Sequence, residues 1–190
     1  MTDPVAACPT LTTERLTMRP LRAGDLDRFH AIMARDEVRY SLRLPDGFSR
    51  EEAWRSMTSH AGLWELRGVG QWALDERGSG RFVGRAGLYW RVEPDWPGVE
   101  VGWMLDPAAW GQGYATEAGA RAVRYGFDEV GEDALYSVIL PGNTRSEAVA
   151  RRLGFIPFDE RVLSFFPTEP HVVWRLDRST WEAVRMSAGV

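Results

Sequence analysis

The 190-residue sequence contains no lysine: all 23 of its basic side chains are arginines. That absence excludes imine chemistry on a lysine, pyridoxal-phosphate enzymes included, and a GxxxxGK[ST] phosphate loop, which all need the ε-amine. Cys8 is the only cysteine, so no internal disulfide can form. It sits in a proline-flanked N-terminal stretch expected to be loose, which makes it a poor nucleophile. No run approaches the ~18 apolar residues of a membrane span. The opening MTDPVAACPTLTTERL lacks the basic and apolar regions of a secretory signal, so a cytoplasmic location is expected. Nor is there an excess of positive charge: 23 basic against 27 acidic groups give a net of −4, which argues against nucleic acid as a partner. The three histidines, His30, His60 and His171, lie far apart and without cysteine neighbours, so no metal site is expected.

What is present reads as one domain over residues 14–190, behind a flexible lead-in of residues 1–13. A chain of this length buries roughly 70% of its unfolded surface and needs no covalent staple. Arg15 to Arg19 alternates polar and apolar residues and reads as a strand ending at Pro20. Asp25 is placed to cap a helix carrying Leu26, Phe29, Ile32 and Met33 on one face. Ser49 followed by Glu52 forms a capping-box pattern that opens a second helix, which fades at Gly68 and Gly70. Three strand-like runs, a helix from about Tyr114 to Phe127, a strand Ala134 to Leu140, a helix stopping at Gly154, two more strands and a short terminal helix complete the chain. The order β-αα-βββ-α-β-α-ββ predicts an α+β fold: a central mixed, mostly antiparallel sheet of about seven strands flanked by helices.

The segment VEVGWMLDPAAWGQGYATEA is the most informative. A strand runs into a loop with Gly111 and Gly113, which delivers directly into a helix. The backbone amides of Gln112 to Thr116 would then be unsatisfied donors at the positive end of a helix dipole. That is a phosphate or pyrophosphate site built from backbone alone; the plain alternative is an ordinary tight turn. A dinucleotide-binding βαβ unit fails on detail. The run is GxGxxT without the third glycine, and the next strand ends Val138-Ile139-Leu140-Pro141 with no acidic residue for a ribose.

This segment resembles motif A of the GNAT N-acetyltransferase superfamily, with Gly113 and Ala115 at its last two fixed positions. Trp110 stands where arginine or glutamine is usual, as in the branch resembling ribosomal-protein N-terminal acetyltransferases. The later NTRSEAVARRLGF and the opening ERLTMRPLRAGDLD also resemble that branch. The likeness spans about residues 14 to 176. It implies the acyl-CoA N-acyltransferase fold and acetyl-CoA as co-substrate, with no metal. The implied acceptor is an amine, either a protein N-terminus or a small molecule. A second copy of the chain stays open as a partner. It implies that the strand ending Trp103-Met104-Leu105 splays from Ala134 to Leu140 and admits the pantetheine arm, with the Leu105 N–H polarising the thioester carbonyl. The pyrophosphate falls to Gly111, Gln112, Gly113, Tyr114, Ala115 and Thr116, the pantetheine to Asn143, and the 3′-phosphate to an arginine such as Arg152.

Two catalytic candidates follow. Ser146 matches the family's Asn-x-x-Ser and is the candidate near the departing thiolate, unless its side chain merely bonds local backbone. Glu100, which interrupts an apolar strand, is the candidate base, unless it is simply solvated on a half-exposed strand. Glu117 is expected to organise the loop. The glutamate that some branch members carry about 19 residues past the serine falls near Phe165 here. The lone cysteine points to direct transfer. Trp54, Trp64, Trp72, Trp90 and Trp103 read as mostly core, with one or two walling an acceptor pocket. Glu93, Asp95, Asp46 and Glu51 would make the entrance to that pocket acidic and favour cationic amines. The alternative to an enzyme is a catalytically inactive acyl-CoA-binding sensor or interaction module.

Overall fold

A computed structural model describes residues 7–188. Leu11–Thr12 (β1) pairs antiparallel with Leu16–Arg19 (β2), Leu11 lying opposite Met18. The expected lead-in is therefore part of the sheet before it reaches residue 13, and Trp72 Nε1 donates to Pro9 O at 2.8 Å. Residues 1–6 of that stretch lie outside the described residues. Cys8 packs against the core, and burial pushes its thiol up to about 12.

Three helices follow where two were expected: Leu26–Met33 (α1), Asp36–Leu42 (α2) and Arg50–Arg67 (α3). The additional α2 carries Asp36 and Glu37 at its positive end and closes on Arg43, held at φ 55°. Asp25 does not cap α1 with its side chain. Its carboxylate instead accepts from Arg19 Nη1 and Nη2 at 2.8 and 2.7 Å and from the Arg22 amide at 2.8 Å. Arg19 also reaches Asp75, so one guanidinium joins two carboxylates. The Ser49–Glu52 capping box forms as read, and α3 stops at Gly68 with φ 66°.

Gln71–Glu76 (β3), Phe82–Tyr89 (β4) and Glu100–Leu105 (β5) form the antiparallel meander. Tyr114–Tyr125 (α4) runs on through a π-helical turn at Gly126–Val130 to Ala134–Ile139 (β6). Thr144–Arg152 (α5), Ile156–Leu163 (β7), Phe166–Asp177 (β8) and Arg178–Ala188 (α6) complete the chain. Among the described residues the sheet has eight strands in the order β1-β2-β3-β4-β5-β6-β8-β7, and β5–β6 is the one parallel pair. The α+β class and the mostly antiparallel mixed sheet are as the sequence implies, with β1 as the added strand.

Because strand side chains alternate between faces, the sheet carries two cores. Leu16, Trp72, Leu74, Leu88 and Val101 pack on one face with Ala118, Ala122 and Val123 of α4. Ala73, Phe82 and Met104 pack on the other with Phe29 and Ile32 of α1 and Met57 of α3. Each large side chain fully removed from water there contributes about 1.5–3 kcal/mol. Gly119 lets α4 approach α5, since a Cβ there would sit 2.7 Å from Leu153 Cδ1.

Candidate active site

The parallel pair β5–β6 meets at one register position, Glu100 opposite Tyr136, with the Tyr136 amide bonding Val99 O at 3.0 Å. Beyond it the strands part. On its other edge β5 stays paired with β4 to its end, and Asp106 N donates to Val83 O. Since alternate residues of a strand bond to opposite edges, Trp103 and Leu105 turn their backbone groups into the gap. Asp106 anchors the end of β5: its carboxylate accepts from Ala108 N at 3.0 Å and pairs with Arg28 of α1 at 2.7 Å.

The loop after β5 opens a cavity of about 990 Å³. Met104, Leu105, Gly111, Gln112, Gly113, Tyr114, Ala115, Thr116, Asn143, Ser146 and Arg152 all line it. Gly111 and Gly113 hold φ at 76° and 81°, a conformation that costs other residues ~1–2 kcal/mol. They turn the amides of Gln112 to Thr116 outward. Among the described residues, the first amide here to bond back to the chain is that of Glu117, to Gly113 O at 3.0 Å. Tyr114 points inward, its hydroxyl on Glu76 at 2.6 Å, so it offers backbone only. Glu117 accepts from Thr13 Oγ1 (2.5 Å), Arg15 N (2.8 Å) and Arg15 Nε (2.7 Å), while Arg15 Nη1 holds Gln112 O at 2.7 Å. Desolvation pushes the Glu117 carboxyl up, but those bonds outweigh it and hold it below its ordinary value. Glu117 thus stays ionised and pins the loop. Trp110 donates from Nε1 to Leu105 O at 3.0 Å, and the Arg145 guanidinium lies 4.5 Å over its ring, so an aromatic clasp joins the two walls.

A second cavity of about 500 Å³ lies on the α3 side of the sheet. Ser41, Leu42, Trp103, Asn143 and Ser146 line both, so the two meet at the gap. Asn143 Oδ1 is committed to capping α5, accepting from Ser146 N at 3.2 Å, which leaves its Nδ2 facing the cavities. The Ser146 hydroxyl makes no hydrogen bond among the described residues. Glu100 lines the second cavity, enclosed by protein but reached through it. Burial raises its carboxyl to about 7, against the opposing pull of Arg91, the Val138 backbone and Arg85.

The floor of this cavity follows from strand register. Tyr89 lies opposite Glu100, Gly87 opposite both Gly102 and Gln71, and Arg85 two residues along the same face. Gly102 leaves room for the Gln71 side chain, since a Cβ there would be 2.9 Å from Gln71 Nε2, and Gly87 lets β4 lie close on β3, where a Cβ would be 2.5 Å from Gly70 O. Arg85 Nη1 donates to Gln71 Oε1. His60 of α3 covers the floor, edge-on to Tyr89 at 5.2 Å, and burial with Arg85 and Arg91 nearby keeps it neutral. Arg91 lies over Phe165 (3.3 Å), Tyr89 (4.8 Å) and Trp96 (4.9 Å). Position 165, where a glutamate was sought, is thus one face of an aromatic box around an arginine.

One expectation is corrected here. The acidic entrance does not form: Asp46 pairs with Arg39, Glu51 with Arg55, and Asp95 accepts from Ser164, all outside the cavity. Glu93 is not in its wall either, and the charged wall residues are Arg43, Arg85 and Arg91 against Glu100. Among the tryptophans, Trp64 and Trp72 are core, but Trp54 is 42% exposed. Trp103 and Trp96 are the two that reach the cavity. Arg85, Arg91, His60 and Trp96 were missed as site residues. The only sequence signal was Arg85 interrupting the otherwise apolar run of β4.

A mixed sheet parted at a parallel pair, with an amide-lined helix start at the parting, is the fold that the sequence resemblance implied. The family profile described as "Acetyltransferase (GNAT) domain" matches residues 15–156, and the chain belongs to the GNAT acetyltransferase family. YoaA of Bacillus subtilis strain 168, described as an uncharacterised N-acetyltransferase, is 28% identical over 148 residues, 77% of this chain and 82% of its own length. An acetyltransferase from Agrobacterium tumefaciens strain C58 superposes with a TM-score of 0.79 at 30% identity, covering 90% of this chain and 95% of that one. A spermidine N-acetyltransferase from Vibrio cholerae, solved with CoA and spermine, shares the fold: TM-score 0.72, 17% identity, 90% and 99% coverage. No helix among the described residues is long and apolar enough to cross a membrane.

Proposed function

We propose that the protein transfers the acetyl group of acetyl-CoA directly to a primary amine. The observation that carries this reading is the meeting of two cavities at Ser146 and Trp103 in the parted sheet, one cradled by free amides and the other holding a carboxyl raised to about 7. The residues fit the donor: outward amides at Gln112 to Thr116 suit a pyrophosphate without any lysine, and the unpaired edge of β5 suits the amide groups of an extended arm. Acetyl-CoA supplies an activated acyl group. The Leu105 N–H, turned into the gap, polarises the acyl carbonyl.

Glu100, through one water, takes a proton from the acceptor's ammonium. The freed nitrogen bonds the acetyl carbon as the carbon–sulfur bond breaks, its electron pair leaving on sulfur, and the second proton that the nitrogen sheds on becoming an amide passes to that sulfur, giving the free thiol. Ser146 stands nearest that end, and its uncommitted hydroxyl can donate to the departing thiolate. A thiol with a pKa near ~8.5 leaves readily, so this help is modest. Cys8 lines neither cavity and is held as the thiol, which leaves no cysteine to carry an acetyl group. The test is release of free thiol from acetyl-CoA against a panel of amines and N-terminal peptides. Turnover with any member supports the reading; CoA binding without turnover on any of them refutes it and favours an acyl-CoA sensor.

A further inference from the structure

Besides Arg43 Nε, which lies against the Glu169 carboxylate, four buried or nearly buried polar atoms in the wall of the second cavity have no hydrogen-bond partner: Arg85 Nε, Arg91 Nε, Trp96 Nε1 and His60 Nδ1. Arg85 is 8% exposed, His60 5% and Trp96 9%. Three of these atoms can only donate, and a buried donor left unpaired costs roughly 1–3 kcal/mol. Glu100 does not absorb them: no ion pair joins it to an arginine among the described residues, and Arg85 spends one nitrogen on the neutral Gln71 amide. Arg43 is neutralised by Glu169. The balance facing the cavity is therefore Arg85 and Arg91 against a single carboxyl that is about half protonated near neutral pH. Burial of the Arg85 guanidinium is costly enough to lower it to about 10. Around these groups stand Tyr89, Trp96, Trp103, Phe165 and Phe166.

We infer that the acceptor is a primary amine that also carries a carboxylate and an aromatic or apolar body, an aromatic amino acid being the simplest example. This rests on the transferase reading above and narrows its substrate. Arg85 and Arg91, with the Trp96 N–H, receive the carboxylate. Trp103 and Phe166, which line the cavity beside the aromatic box that Arg91 fills, border the body, and the ammonium is left facing Glu100 and the gap at Ser146. Planar guanidinium forks suit a carboxylate, and the excess positive charge disfavours a polycation.

The test compares phenylalanine, phenylalaninamide, phenethylamine and spermine by thiol release from acetyl-CoA. In parallel, the thermal shift caused by N-acetylphenylalanine is measured on CoA-loaded protein. Phenylalanine should exceed the amide and phenethylamine by about 10- to 100-fold in kcat/KM, mainly through KM. R85Q and, separately, R91Q should collapse that ratio toward one, with the CoA-induced thermal shift retained as proof of folding. A merely structural arginine would lower all acceptors together and leave the ratio intact. Equal or better use of the amide, phenethylamine or spermine overturns the inference while leaving the transferase reading standing. No turnover of any amine, with a carboxylate-dependent thermal shift still lost in R85Q, refutes the transferase reading but keeps the carboxylate site.

Discussion

Replacing Glu100 with glutamine separates a catalytic base from a buried bystander, because the two consequences of its raised pKa have opposite signs. A carboxyl moved from 4.5 to about 7 is destabilised in its charged form by roughly 3 kcal/mol before screening by solvent. Water reaching Glu100 through the cavity lowers that figure. A pKa raised by folding means the native protein binds the extra proton. The contribution of Glu100 is therefore fully present below about 4.5 and is lost as pH rises through about 7. E100Q, neutral throughout, should match the parent in thermal stability near pH 4.5 and surpass it by several degrees above pH 8. Activity should move the other way. In the parent, kcat/KM should rise about tenfold between pH 6 and 8 as Glu100 ionises. E100Q should lose that limb and about 10²–10⁴ in turnover, with CoA affinity unchanged. The checks are melting curves across pH and thiol release at saturating acetyl-CoA. An unaltered pH–rate profile in E100Q removes Glu100 from the base role. Parallel melting curves at every pH refute the burial argument even if activity falls.

Gly113→Glu should abolish the thermal stabilisation given by CoA, since it places charge and bulk at the amide cradle in a residue held at φ 81°; retained stabilisation removes the pyrophosphate assignment. Ser146→Ala should lower kcat about tenfold with little change in the KM for acetyl-CoA, and an unchanged kcat would reduce Ser146 to a capped helix residue. Gly84→Ala should cost more than about 3 kcal/mol in denaturant unfolding, because a Cβ there overlaps the Met104 carbonyl and lies 2.7 Å from Leu105 Cα. Gly131→Ala, with open space and φ 89°, should cost only ~1–2 kcal/mol, and equal losses at the two positions would refute the close-approach argument.

The fold was legible where local chemistry and burial agree. The Ser49–Glu52 box, the Gly68 stop and the glycine turn before α4 are written in adjacent residues, and each forms as read. Asp25 and α2 escaped for opposite reasons. Asp25 has the local signature of a cap, but an arginine six residues earlier, itself linked to a strand 56 residues away, claims its carboxylate. The α2 segment has no strong pattern because it is short, with only Val38 buried. The added strand β1 is two residues long and exists only because β2 offers it an edge.

The glycine loop proposed to hold the donor was legible as a turn for a related reason. Backbone held at positive φ must announce itself with glycines, and Gly111 and Gly113 lie within three residues of one another. The second cavity depends on register across three strands and on a helix whose His60 lies 40 residues before Glu100, none of which has a local signature. Charge counting along the chain therefore misled. Asp46, Glu51, Glu93 and Asp95 are near the site in sequence terms, yet three of the four find partners at the surface. Arg85 is one arginine among 23 in the sequence, yet it is 8% exposed and bonds the Gln71 side chain from the neighbouring strand. The lack of lysine sharpens the point. With arginine the only long cation, every strong positive charge in the cavity is a planar fork that holds its charge even where burial lowers it to about 10. A lysine in the same place would shed its proton far more easily, so the anion site proposed here keeps its positive charge through the pH range in which Glu100 changes state.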